Sequence, residues 1–233
     1  MCGRYATTRS SGELSALFES SDDTDGQVRP DHNVAPTDPV PLVRVTPEGH
    51  RSLRVGRWGL LPHWSRSAAG AARMINARAE TVATSRAYAG AFARRRCLVP
   101  ADGWYEWVRQ PDGGRQAYFM TPTDGSVLAL AGIWSVWESG ADTRLTFSVL
   151  TTEALGELAE VHDRMPVLLP PARWASWLAS TDEPDRLLAP ATAAQLAGLE
   201  IRPVSSAVGD VRNDGPQLIE RVPVVAAQRL TLF

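Results

Sequence analysis

Cys2 stands directly behind Met1 in the opening MCGRYA. A cysteine left as the first residue by removal of Met1 would carry two nucleophiles on adjacent carbons. One is an α-amine of pKa about 7.7–8.0, the other a thiol of pKa about 8.5, so both have a usable deprotonated fraction near neutral pH. Every one of the 24 basic residues is arginine. With no lysine in the chain, only the α-amine can supply amine chemistry such as a Schiff base. The plainer reading is that position 2 simply holds a small residue.

Three other stretches combine ionisable or amide side chains with turn or strand-end contexts: INARAET with Asn76, ADGWYEW with Glu106, and VHDRMP with His162. Glu106 lies between Tyr105 and Trp107. If the aromatics face one way along a strand, the carboxyl faces the other, and a carboxyl in apolar surroundings is a candidate acid or base with a raised pKa. It could equally be a glutamate on the rim of a half-buried strand. His162 could transfer protons or be structural. Asn76 could hold a substrate or cap a helix.

These residues need a frame. Ser10 and Glu13 have capping-box spacing and predict a short helix through about Phe18. PLVRV and RSLRVGRWGLL read as strands, and RRCLVP, WYEWV, RQAYFMT, SVLALAGIW and RLTFSVLT as five more. PDGG between two of them is a hairpin signal. INARAETVATSRAYAGAF begins as a loop and becomes a helix. Further helices are expected near residues 153–160, in PPARWASWLAS, which starts with proline, and in ATAAQLAGL. Strands in the middle with helices toward the ends predict an α+β fold: one domain over residues 1–233, with a curled, mostly antiparallel or mixed, barrel-like sheet flanked by helices.

Composition excludes several classes. No run of 18 apolar residues is present, so no transmembrane helix is expected, and with no signal layout at the N-terminus the expected location is cytoplasmic. Cys2 and Cys97 make neither a disulfide framework nor a metal site by spacing, and Cys97 in RRRCLVP reads as core. No cofactor is expected: dinucleotide, P-loop, zinc-protease and nucleophile-elbow motifs are all missing. The net charge is only −2, yet residues 40–120 hold 13 Arg against 5 Asp or Glu. A basic middle in an acidic chain suits a face for a polyanion.

MCGR, NVAPT, WGLLP, INARAET with ATSRAY, CLVPADGWYEW, AGIW, VHDRMPVLL and PVSSAVGDVRNDGP together resemble the SOS response-associated peptidase family, the abasic-site processing proteins, over nearly the whole chain. The resemblance implies loss of Met1, autocatalytic or not, and attack by Cys2 on the aldehyde of an abasic site in single-stranded DNA. The α-amine forms a Schiff base and the thiol closes a thiazolidine, a covalent protein–DNA link, with AP-lyase cleavage as a by-activity. By the same resemblance Asn76 positions the Cys2 end and the sugar, Glu106 shuttles protons, and His162 assists sugar ring opening. Arg4, Arg78, Arg86 and Arg164 contact phosphates, Pro36 and Trp64 meet flanking bases, and Thr151 touches the DNA. The partner implied is single-stranded DNA with abasic sites, met by a monomer, with no membrane. The alternative is a peptidase or amidase that uses Cys2 as an N-terminal nucleophile.

Overall fold

The structure is a computed structural model that describes residues 2–179, 187–189 and 191–223. Met1 and Ser180, the last residue of the expected PPARWASWLAS helix, lie outside the described residues. The strands are β1 (Tyr5–Thr7), β2 (Ser21–Asp22), β3 (Asp31–Val34), β4 (Pro39–Val45), β5 (Arg51–Trp58), β6 (Asn76–Arg78) and β7 (Arg96–Ala101). They continue as β8 (Gly103–Arg109), β9 (Arg115–Pro122), β10 (Leu128–Ser139), β11 (Asp142–Glu153), β12 (Arg164–Pro166) and β13 (Leu199–Val204). The α-helices among the described residues are short: α1 (Ser11–Phe18), α2 (Ala89–Arg94), α3 (Leu158–Val161), α4 (Trp174–Leu178) and α5 (Ala193–Ala197).

Two sheets carry the architecture. One runs β12-β11-β10-β7-β4-β5-β2, and a further parallel pairing of β11 with β5 (Thr146 opposite Arg57, Phe147 opposite Trp58) closes β4, β5, β7, β10 and β11 into a ring. Closure satisfies edges that an open sheet would leave unpaired. The second sheet is β13-β9-β8-β1-β3. The sequence-based reading of an α+β fold with a barrel-like sheet agrees with this arrangement.

Period-two alternation sorts the side chains. On β7, Cys97 and Val99 join one buried cluster with Leu42, Trp58, Leu130, Phe147 and Val149. Leu98 points to the other cluster, where Ala131, Ile133 and Leu150 meet Phe18, Phe92 and Trp177 of α1, α2 and α4. Cys2, Tyr5 and Trp104 belong to the first cluster, so the start of the chain is packed inside the protein. Cys97 is buried as expected.

The local signals hold where they were strongest. The Ser10 hydroxyl accepts from the Glu13 amide, and the Glu13 carboxylate accepts from the Ser10 amide at 2.9 Å, completing the capping box of α1. The β8–β9 hairpin turns at PDGG, with Gly113 at φ 86°, a left-handed conformation that glycine adopts without steric cost. The expected helix in INARAETVATSRAYAGAF is confined to α2. The stretch begins instead as strand β6, because Val149, Leu150 and Thr151 of β11 offer it a parallel partner.

Candidate functional site

Cys2 is fully buried, and its chain end is fixed from a distant strand: Asn76 Nδ2 donates to the Cys2 carbonyl at 2.7 Å. Asn76 is itself held from several sides. Tyr88 Oη donates to the Asn76 carbonyl at 3.1 Å. The preceding carbonyl, Ile75, accepts from Trp58 Nε1 and from the Val149 amide, each at 2.9 Å. Asn76 Oδ1 is buried and has no hydrogen-bond partner among the described residues.

Glu106 occupies the strand position its neighbours implied. Tyr105 and Trp107 turn to one face of β8, where Tyr105 packs on Phe119 at 4.7 Å between ring centroids. Glu106 turns to the other face and is only 3 % exposed. Burial pushes its carboxyl up to about 7. A group that titrates there can give or take a proton at physiological pH. Burial also pushes the Cys2 thiol far up, and the nearby Glu106 charge raises it further. Cys2 is therefore a neutral thiol at pH 7 and not a thiolate, the form that attacks in cysteine peptidases.

His162 closes α3, which packs on β8. Its Nδ1 accepts from the Arg164 amide at 2.9 Å and lies 2.7 Å from Asp163 Oδ1. The Asp163 side chain is 84 % exposed, and the backbone contact from Arg164 holds the ring in place. Burial lowers the His162 pKa, with Asp163 pulling the other way, and the ring is neutral at pH 7.

The DNA-contact candidates separate into two kinds. Arg78 and Arg86 are exposed, and the Arg86 guanidinium lies 5.3 Å from the ring centre of Trp64, which is 52 % exposed. Pro36 is half-buried in the turn between β3 and β4. Arg4 and Arg164 are already engaged. Arg4 donates to Asn33 Oδ1 at 2.7 Å and to the Val208 carbonyl at 3.0 Å. Arg164 grips Glu80 with both terminal nitrogens, at 2.7 and 2.9 Å, and donates to the Thr151 carbonyl at 2.7 Å. Thr151 is fully buried and supports Arg164 from below; its side chain is not available to a strand in this arrangement. In the basic middle, Arg96 is buried and spends its donors on carbonyls of Phe92, Trp177 and Ala179.

The sequence reading missed Glu80, Tyr88 and Trp58. Glu80 sits inside INARAET and Tyr88 inside ATSRAY, so both were within reach of a close look. Nothing local links Trp58 to Ile75.

The sheet closed into a ring and the buried Cys2, held by Asn76 from β6 and near the Glu106 carboxyl of β8, together describe an α+β fold that packs the start of its chain into the interior. Comparison with known proteins makes this specific: the chain belongs to the SOS response associated peptidase (SRAP) family, whose model matches residues 1–211. It is similar to the abasic site processing protein YedK of Escherichia coli, 32 % identical with 95 % of this chain and 100 % of that protein covered. It is also similar to the abasic site processing protein YoqW of Bacillus subtilis, 30 % identical with 94 % and 99 % covered. Among solved structures, a Bacteroides thetaiotaomicron protein shares the fold with a TM-score of 0.81 at 20 % identity, covering 95 % of this chain and 100 % of that one. No helix of the described residues is long and apolar enough to cross a membrane.

Proposed function

We propose that the protein processes abasic sites in single-stranded DNA by linking itself to them through Cys2 after loss of Met1. One observation carries the reading: Cys2 is held by Asn76 at 2.7 Å within electrostatic reach of a carboxyl raised to about 7. The Cys2 amine adds to the aldehyde of the ring-opened sugar, and one water leaves as the imine forms. The thiol then adds across the C=N bond, its proton passing to nitrogen, and a five-membered ring results. Amine and thiol on adjacent carbons make that closure intramolecular, which removes most of its entropic cost. Glu106 serves both steps as donor and acceptor of protons. Neutral His162 assists opening of the sugar.

Arg78, Arg86 and Trp64 meet the strand from the surface, where aromatic faces and arginines suit bases and phosphates. Arg4 and Arg164 act from beneath by ordering the loops they bind and, once Glu80 yields, by reaching phosphate. Pro36 borders the same region. The chain works as one domain, without a cofactor, as a monomer. Peptidase chemistry is the weaker reading, because it begins with attack by a thiolate and burial keeps the Cys2 thiol protonated, whereas the amine opens the route proposed here.

Intact mass before and after incubation with single-stranded DNA bearing one abasic site tests the proposal. Loss of Met1, then a gain equal to the oligonucleotide minus one water, is the expected result. The Cys2→Ala variant should give no adduct. A wild-type protein without Met1 that gains no mass would refute the link.

A further inference from the structure

A cleft among the described residues lies away from the Glu106 face of β8. It opens on the opposite side of the β13-β9-β8-β1-β3 sheet, has a volume of about 500 Å³, and is lined by Gly3, Arg4, Trp107, Arg115, Ser206 and Gly209. That size is within the usual range of small-ligand sites, about 300–1,000 Å³. Its position follows from the register of β8 and β9. Tyr105 pairs with Phe119, Trp107 with Ala117, and Arg109 with Arg115. These pairs share one face, since alternate strand residues do, and Glu106 is on the other.

Three features of that face point to a ligand. Trp107 pairs with alanine and so lacks a bulky cross-strand neighbour; it is only half-buried. Tyr105 supports it from within at 6.4 Å between centroids. Arg109 and Arg115 are placed directly opposite each other, a like-charge pairing that costs stability, and neither forms an ion pair with a described residue. Asp210, an acid in the loop that borders the cleft, is already bound to Arg212 at 2.6 Å. An aromatic face followed by two uncompensated guanidinium groups has the spacing chemistry of a base and its neighbouring phosphates.

The cleft also begins next to the nucleophile. Gly3 lines it, and consecutive Cα atoms are about 3.8 Å apart, so the chain passes from Cys2 to the cleft in one step. We propose that this outer face seats the part of the single strand that runs on from the lesion, one base stacking on Trp107 and the adjoining phosphates on Arg115 and Arg109. The proposal rests on the reading that the protein binds single-stranded DNA, and it needs no covalent step.

The test is fluorescence anisotropy of a labelled, lesion-free 20-nucleotide thymidine strand titrated with the full chain at salt from 50 to 200 mM. Arg115→Ala is expected to weaken binding about three- to tenfold and to reduce the salt slope by about one. Trp107→Leu should weaken it about fivefold or more with the slope unchanged, and Trp107→Phe should restore most of the loss. Arg29→Ala, which removes an exposed arginine elsewhere, should change little. Unchanged affinity and slope in Arg115→Ala would overturn the proposal even if Trp107→Leu fails to fold. So would an equal loss in Arg29→Ala, which would mean a general field effect. The abasic-site mass assay is read separately: an adduct in wild type with no effect of the cleft variants sinks the cleft alone, whereas loss of binding in the variants without any adduct sinks only the covalent reading.

Discussion

Replacing Glu106 by glutamine should make the protein more stable at alkaline pH and leave that gain absent in acid. The carboxyl rises from an ordinary 4.5 to about 7 in the fold because it is buried. Below about 4.5, folded and unfolded chains both hold the proton. Between there and 7 the folded chain keeps a proton that the unfolded chain gives up, so stability falls as pH rises. Above 7 the full cost of a buried carboxylate remains. Each tenfold change in an acid constant corresponds to about 1.36 kcal/mol, so the cost reaches about 3 kcal/mol. Glutamine keeps the shape and cannot ionise. Its amide has a desolvation cost of its own, but that cost is the same at every pH.

The quantity to measure is therefore the difference in melting temperature between variant and wild type, followed by circular dichroism from pH 5 to pH 8. From pH 5 to pH 8 that cost grows by about 2.5 kcal/mol, which for a chain of this size corresponds to roughly 5–10 °C, and the difference should grow by that amount in favour of the variant. His162 and the surface acids titrate in both proteins and cancel. Removal of Met1 would put an ammonium group on Cys2 and shrink the effect, so intact mass is recorded for each sample. A difference that stays constant with pH, or that moves in favour of wild type, would refute the claim that Glu106 is held protonated by burial.

Two other substitutions bear on the same region. Asn76→Ala removes the only side-chain hydrogen bond to the Cys2 carbonyl among the described residues; it should cost about 1–3 kcal/mol in urea unfolding and slow adduct formation at least about tenfold, as read by gel shift. Gly103→Ala would place a methyl 2.4 Å from the Met120 carbonyl oxygen and 2.5 Å from Phe119 Cζ. Backbone cannot yield as a side-chain tip does, so the loss should sit at the upper end of the overpacking range, about 3 kcal/mol, seen as a lower melting temperature.

The long strands were legible because each carries its own evidence. β10 and β11 are 12 residues each, long enough for alternation to repeat, and PDGG marks the turn between β8 and β9 whatever surrounds it. The site was legible as residue types, since Glu106 between two aromatics already implies opposite faces. The frame of the site was not. β1, β6 and β12 have three residues each, too few for a period to register, and they exist because β8, β3 and β11 present free edges to them. Within NVAPT, Asn33 and Val34 belong to β3, whose partner is β1 from the start of the chain. That Arg164 and Arg4 are already engaged was not legible for the same reason. Their partners, Glu80, Thr151, Asn33 and Val208, are brought in by pairings that no local pattern records.

The burial of Cys2 has a chemical consequence of another kind. Oxidants and alkylating agents act on thiolates they can reach. Both cysteines of this chain are buried and free, and burial keeps both as thiols. Both thiols are thus shielded by packing and not by pairing, and their exposure to such agents is set by how often the fold opens.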